Sequence, residues 1–205
     1  MYNVHEEEGV SMTIAVLAVQ GAFAEHKSKL EKLGAACVEL RKKEDLDCGF
    51  SGLVLPGGES TVQGKLLREL DMFDTLKEKI QAGMPVLATC AGLILLADHL
   101  SNDEHVYFGT MPVTVKRNAY GRQLGSFHTV QQMEGIGEVP MTFIRAPYIE
   151  KCGEEAKVLA KVDGNIVAVK YKQQYGLAFH PELDGDDRIH KMFLDAVKEY
   201  REAEN

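Results

Sequence analysis

The sequence predicts an α/β fold, an open and mainly parallel (mixed) sheet with helices on both faces and a β-rich excursion in the second half. Short, near-continuous apolar runs alternate with segments of helical periodicity, as expected for strands covered on both sides. Two unusual segments, Pro56-Gly57-Gly58-Glu59-Ser60 and Thr89-Cys90-Ala91-Gly92, each follow such a run directly. That is where an open sheet presents its ligand crevice. The 205 residues are 45% hydrophobic with no compositional break, which suits one domain with a substantial core.

Residues 1–11 carry three consecutive glutamates and no periodicity, and read as an N-terminal extension expected to be mobile. Residues 12–205 are then a single domain. Residues 13–19 (TIAVLAV) predict a strand buried on both faces. A helix is expected over 22–33, with Phe23, Leu30 and Leu33 on one side and Gly34 as its C-cap. Short strands follow at 36–40 and 52–55 (GLVL), the second stopped by PGGES. Helices over about 61–70 and 72–82 precede a strand at 85–88 and a helix over 93–100. From about 105 to 178 the pattern becomes strand-rich, with MPVTV, MTFI, KVLAKV and NIVAVKY as candidates and turns at 118–121 and 163–165. The final helix is the clearest, because Ile189, Met192, Phe193, Ala196, Val197 and Tyr200 share one face at i, i+3, i+4, i+7 spacing.

The net charge of −8 and pI near 5.4 argue against nucleic-acid binding, since an acidic surface repels phosphate backbones. No run approaches the ~18 apolar residues of a membrane span. The opening MYNVHEEEGVS is the opposite of a secretory signal. Cys37, Cys48, Cys90 and Cys152 are widely spaced, form no CxxC pair and read as reduced thiols, so a cytoplasmic location is expected.

Cys90 is set apart by context. It stands between a short apolar strand and a helix, among the small residues Ala88, Ala91 and Gly92. A nucleophile on a tight strand-to-helix turn needs small neighbours, and the following helix offers N–H groups and a positive dipole end that favour thiolate. An arbitrary cysteine is more often a small core residue, and Cys37, Cys48 and Cys152 keep that reading. Phe179-His180-Pro181-Glu182 closes the last predicted strand. A histidine there can move the thiol proton, and a carboxylate two residues on can fix its tautomer. The other histidines form no metal-ligand spacing and read mostly as surface or structural residues. Gly58 to Lys65 (GESTVQGK) looks like a phosphate loop but fails. Five residues rather than four separate Gly58 from Gly64, and Leu66 takes the Ser/Thr position. The glycine pair is either a tight turn or a way to bring backbone N–H groups to a developing oxyanion.

Taken together, LAVQGAFAEH, LPGGEST, TCAGLILLA, RNAYGRQ (117–123), FIRAP (143–147) and FHPEL resemble the class I, triad-type glutamine amidotransferases, whose sheet is flavodoxin-like. Within that class, RNAYGRQ, FIRAP and the opening VQG resemble the glutaminase subunits of pyridoxal phosphate synthases. The likeness runs from about Met12 to Glu199; Ala88 departs from it, standing where a glycine often precedes TCAG. The resemblance implies that Cys90, His180 and Glu182 hydrolyse L-glutamine to glutamate and ammonia through a thioester. It implies an oxyanion hole at Gly58 and Ala91, and glutamine binding by Gly58, Glu59, Ser60, Arg117, Ile144 and Arg145. Gln20 is implied to couple the site to a synthase subunit that accepts the ammonia through a closed passage and makes pyridoxal phosphate. No metal and no organic cofactor is needed for this chemistry.

Three alternatives remain on the sequence. A class I glutaminase serving histidine, purine or aminobenzoate synthesis is not expected to carry RNAYGRQ and FIRAP. A cysteine peptidase or stress protein of related fold is opposed by the His-Pro-Glu pair. A silent regulatory subunit is opposed by the intact triad.

Overall fold

Strand β1 (Thr13–Leu17) is an apolar run whose last four residues are fully buried, so it sits inside a sheet. In the computed structural model, which describes residues 12–119 and 125–204, it lies between β2 (Ala36–Leu40) and β3 (Gly52–Leu55), parallel to both. The extension at 1–11, the end of the expected 118–121 turn and residues 120–123 of RNAYGRQ lie outside the described residues. β4 (Val86–Thr89) adds to β3 in parallel, and β12 (Gln174–Leu177) adds to β4 in parallel. The order β2-β1-β3-β4-β12 is the parallel half of the sheet; its first four strands match the predicted ones, whereas β12 is not among them.

Beyond β12 the sheet changes character. β11 (Asn165–Tyr171), β9 (Tyr148–Cys152) and β6 (Met111–Lys116) follow in antiparallel pairing, and β10 (Lys157–Val162) also pairs with β11. β5 (Ala97–Leu100) closes the far edge, parallel to β6. A separate antiparallel hairpin is made by β7 (Ser126–Met133) and β8 (Gly137–Ile144). The sheet is therefore mixed, with its antiparallel pairs confined to the expected β-rich excursion.

Helices cover both faces. A Cβ on Gly52 would meet Phe193 and Val197 of α5 (Arg188–Glu204), whereas Leu55 lies against Gly92 of α4 (Ala91–Leu96). Three residues apart on one strand, Gly52 and Leu55 point to opposite faces. α1 (Phe23–Lys32) shares the α5 side, as the His26–His190 contact shows, while α2 (Ser60–Glu69) packs with α4 and α3 (Phe73–Gln81). The α5 face predicted from periodicity is the one buried. Phe193 and Val197 are fully covered, each contributing about 1.5–3 kcal/mol relative to exposure.

One expected element divides in two. The helix anticipated over 93–100 ends at Leu96, and Ala97–Leu100 becomes β5. Every residue of Ala91–Leu96 is buried, so this run has no amphipathic period to mark where a helix stops. The Leu95 and Leu96 carbonyls instead accept hydrogen bonds from the N–H groups of Phe108 and Thr110, both at 2.9 Å. Among the described residues no helix is long and apolar enough to cross a membrane.

Candidate active site

The strand order reverses at β1, so the segments leaving the carboxyl ends of β1, β3 and β4 converge on one crevice. They carry Gln20, Gly57 to Ser60, and Cys90. The Ala22 N–H donates to the Gly57 carbonyl at 3.0 Å, tying the first two segments together. The result is a cavity of about 250 Å³. It is lined by Gln20, Gly58, Glu59, Ser60, Cys90 and His180, and on its far wall by Arg117, Ile144 and Arg145. Of the residues predicted for the site, Ala91 and Glu182 do not line it.

Cys90 takes φ 48° and ψ −99°, a conformation few non-glycine residues adopt. Such strain persists only where the surroundings enforce it. Here the Cys90 N–H is fixed to the Leu177 carbonyl at 2.8 Å, so β12 holds the turn from the side. Gly92 permits the close return of the chain, since a Cβ there would lie 2.1 Å from the Leu55 carbonyl oxygen. Ala91, fully buried, begins the short helix directly after the thiol.

His180 follows β12 on the neighbouring strand end and is anchored by its own N–H to the Thr142 carbonyl at 2.8 Å. Its Nδ1 lies 2.7 Å from Glu182 Oε1. A carboxylate only accepts, so Nδ1 carries the proton and Nε2 is left to serve the thiol. Burial acts to lower the His180 pKa, but hydrogen bonding with Cys90 and Glu182 raises it to about 10. The arrangement therefore favours an imidazolium beside the cysteine. Burial likewise acts to raise the Glu182 pKa. Attraction to His26 and the His180 hydrogen bond outweigh it and hold the carboxyl below its usual range.

The polar wall is already paired. Arg145, at φ 44° just after β8, donates from Nη2 to Glu59 Oε1 at 3.1 Å across the mouth of the cavity. Arg117 Nη1 is bound by Asp103, and its backbone is held by Asn102 on both sides, at 3.0 and 3.1 Å. Hydrogen bonds from the His105 backbone and ring, joined by Arg117, hold the Asp103 carboxyl down at about 2. Gln20 Oε1 accepts from the Glu59 N–H at 2.8 Å, and Gln63 braces the Gln20 and Pro56 carbonyls at 3.0 and 3.2 Å.

Sequence reasoning missed several neighbours of the site. Gly57, Asn118 and Pro147 line the cavity and sat within the motifs already singled out. Ile94 also lines it, one helical turn after Cys90. Asn102 and Asp103 carried no local signal. His26 and His190, grouped above with surface or structural histidines, are fully buried, and His26 lies against Glu182.

The chain is similar to known proteins in sequence and in fold. The sequence model of the SNO glutamine amidotransferase family matches residues 16–199. A "Pyridoxal 5'-phosphate synthase subunit PdxT" from Desulfitobacterium hafniense (strain DSM 10664 / DCB-2) is 66% identical, covering 91% of this chain and 94% of its own. The protein of the same name from Streptococcus pneumoniae (strain CGSP14) is 50% identical over 93% of this chain and 100% of its own. A solved structure described as a glutamine amidotransferase superposes with a TM-score of 0.85 at 41% identity, covering 90% of this chain and 98% of that one.

Proposed function

We propose that this chain, which belongs to the SNO glutamine amidotransferase family, is the glutaminase subunit of a pyridoxal phosphate synthase. It hydrolyses L-glutamine and hands the ammonia to a synthase subunit. The observation that carries the reading is the 2.7 Å contact of His180 Nδ1 with Glu182, behind a cavity that contains Cys90 on a strained turn.

In the first half-reaction Cys90 Sγ forms a bond to the side-chain amide carbon of glutamine. The thiol proton passes to His180 Nε2, which gives the imidazolium that the site favours. The oxyanion of the tetrahedral adduct is met by the backbone N–H groups of Gly58 and Ala91. One such donor is worth about 2.7–4 kcal/mol of barrier. Collapse breaks the C–N bond while His180 returns its proton to the leaving nitrogen, giving ammonia and a glutamyl thioester. In the second half-reaction a water loses its proton to His180 and attacks the thioester, releasing glutamate and restoring the thiol. Glu182 keeps the imidazole in the required tautomer throughout.

The substrate's charged end suits the polar wall. Glutamine carries an α-amino and an α-carboxylate group, and Glu59 with Arg145 and Arg117 offers a carboxylate and two guanidinium forks. Ile144 and Ser60 complete the contacts. Ammonia is mostly protonated at neutral pH and then no longer nucleophilic, so a closed passage into the partner preserves it for reaction.

The test is release of glutamate and ammonia by the purified chain, alone and with a matching synthase subunit, with Cys90→Ala as control. Stimulation by the synthase and loss of turnover in Cys90→Ala are expected. Full activity indifferent to the synthase would point to another amidotransferase branch. Turnover by Cys90→Ala would remove the thioester mechanism.

A further inference from the structure

The Glu182 side chain is fully buried, and only one of its two oxygens is occupied by His180. The other, Oε2, accepts no well-aligned hydrogen bond and faces His26 Nε2 at 3.3 Å. His26 comes from α1 and is itself completely buried. Its Nε2 also lies 3.2 Å from the hydroxyl of Thr89, the residue before Cys90. Its Nδ1 lies 2.9 Å from Nε2 of His190 on α5. His190 Nδ1 has no partner among the described residues.

These contacts favour one arrangement of the protons. A bare Nε2 lone pair 3.3 Å from the carboxylate would be repelled, so the tautomer with its hydrogen on His26 Nε2 is favoured; that hydrogen is bonded to the Thr89 hydroxyl and lies beside Glu182 Oε2. His26 Nδ1 is then a bare acceptor, and His190 must donate from Nε2. Burial lowers the pKa of both rings, to about 2 for His190, which agrees with both being neutral. The charged groups acting on this pair are Glu25 and Lys29 on α1, His180 and Glu182 on the loop after β12, and Asp187 just before α5. A buried carboxylate held by a single donor can rotate about its side-chain bonds. One bonded at one oxygen and faced closely by an N–H at the other keeps its plane toward His180.

We propose that His26 is a positioning residue for the reaction: its Nε2–H, favoured there by the carboxylate and matched by His190 on the other nitrogen, faces the inner oxygen of Glu182 and so steadies the carboxylate behind His180. The proposal rests on the glutaminase reading. His26 does not line the cavity and touches no substrate.

The experiment compares wild type, His26→Leu, His26→Gln and His190→Leu as full chains with the synthase subunit. It reads kcat and KM for glutamine, and the pH profile of Cys90 alkylation by iodoacetamide, followed on the Cys90 peptide. His26→Leu is expected to lower kcat about 10- to 100-fold, by analogy with the partners that orient metal-ligating side chains. KM should stay within about twofold, because ground-state binding is untouched. The alkylation profile should move to higher pH as His180 loses support. His26→Gln can still donate from its amide and should recover most of both properties. His190→Leu should give a smaller change in the same direction, and it tests the relay if His26→Leu does not fold. Wild-type kcat and alkylation profile in folded His26→Leu would overturn the proposal, as would a loss shared equally by KM and kcat that His26→Gln does not rescue. If wild type itself releases no ammonia, the glutaminase reading fails, while the alkylation profiles still decide whether His26 acts on His180 and Cys90.

Discussion

Gly57 leaves the space that the ring of His180 fills: a Cβ on Gly57 would lie 2.3 Å from His180 Cε1 and 2.9 Å from Nδ1. Both distances are far inside van der Waals contact, and the ring cannot retreat without breaking its 2.7 Å contact with Glu182. Gly57→Ala is therefore expected to displace the imidazole and lower kcat by about 10²-fold, the scale of a 1 Å misplacement. Steady-state kinetics check this, and wild-type turnover in a folded Gly57→Ala chain would contradict it.

Glu182→Gln keeps the shape of the side chain but presents an amide that can turn either way. The tautomer of His180 is then no longer specified, and kcat is expected to fall by roughly 10²–10⁴-fold. KM should change by less than about threefold, since Glu182 does not line the cavity. An equal change in both parameters would assign Glu182 to binding instead.

Glu59 and Arg145 are 50% and 72% exposed in their side chains, so their 3.1 Å pair contributes about 0–1 kcal/mol to stability. The role proposed for it is recognition of glutamine. Arg145→Lys loses the planar fork and is expected to raise KM for glutamine about 10-fold or more, the scale of one charged hydrogen bond. The melting temperature should hardly move. A large drop in melting temperature with unchanged KM would show the pair to be structural.

Gln20 is held against the Glu59 N–H at 2.8 Å and braced from below by Gln63. Gln20→Ala is expected to reduce synthase-stimulated turnover about 10-fold, the equivalent of roughly 1.4 kcal/mol. Binding of free glutamine, measured calorimetrically on the isolated chain, should weaken less. Equal losses in the two assays would count against a coupling role.

Burial holds His190 neutral, with its pKa lowered from 6.5 to about 2. The unfolded chain binds a proton at this position as pH falls below about 6.5, and the native chain does not. Native stability is thus lost on acidification between those values, at about 1.4 kcal/mol per pH unit for one such group. His26 is lowered in the same direction and adds to the slope. His180 acts at the other end. Its pKa is raised from 6.5 to about 10, so the stability it contributes is complete below 6.5 and is lost as pH rises through 10. Urea unfolding at pH 7, 6 and 5 should show a falling midpoint that His190→Leu makes shallower. Parallel lines for the two proteins would mean that His190 titrates normally.

The parallel core, the elbow at Cys90, the PGGES loop and the final helix were legible in the sequence because each is written in neighbouring residues. Burial on both faces produces the apolar runs of β1, β3 and β4, a 3.6-residue period produces α5, and small residues around Cys90 permit its turn. The stop of α4 and the start of β5 were not legible. Ala91–Leu96 is buried on every side, and the bonds that end the helix come from Phe108 and Thr110. β7 escaped notice because most of its residues are exposed or half-exposed and, among the described residues, it pairs only with β8. The tertiary structure alone decided that Asp103 engages Arg117, that Glu59 meets Arg145, and that His26 and His190 lie behind Glu182. Local pattern reports which face of an element is covered. It does not report which distant side chain covers it, because that depends on how α1, α5 and the strand ends pack together in space.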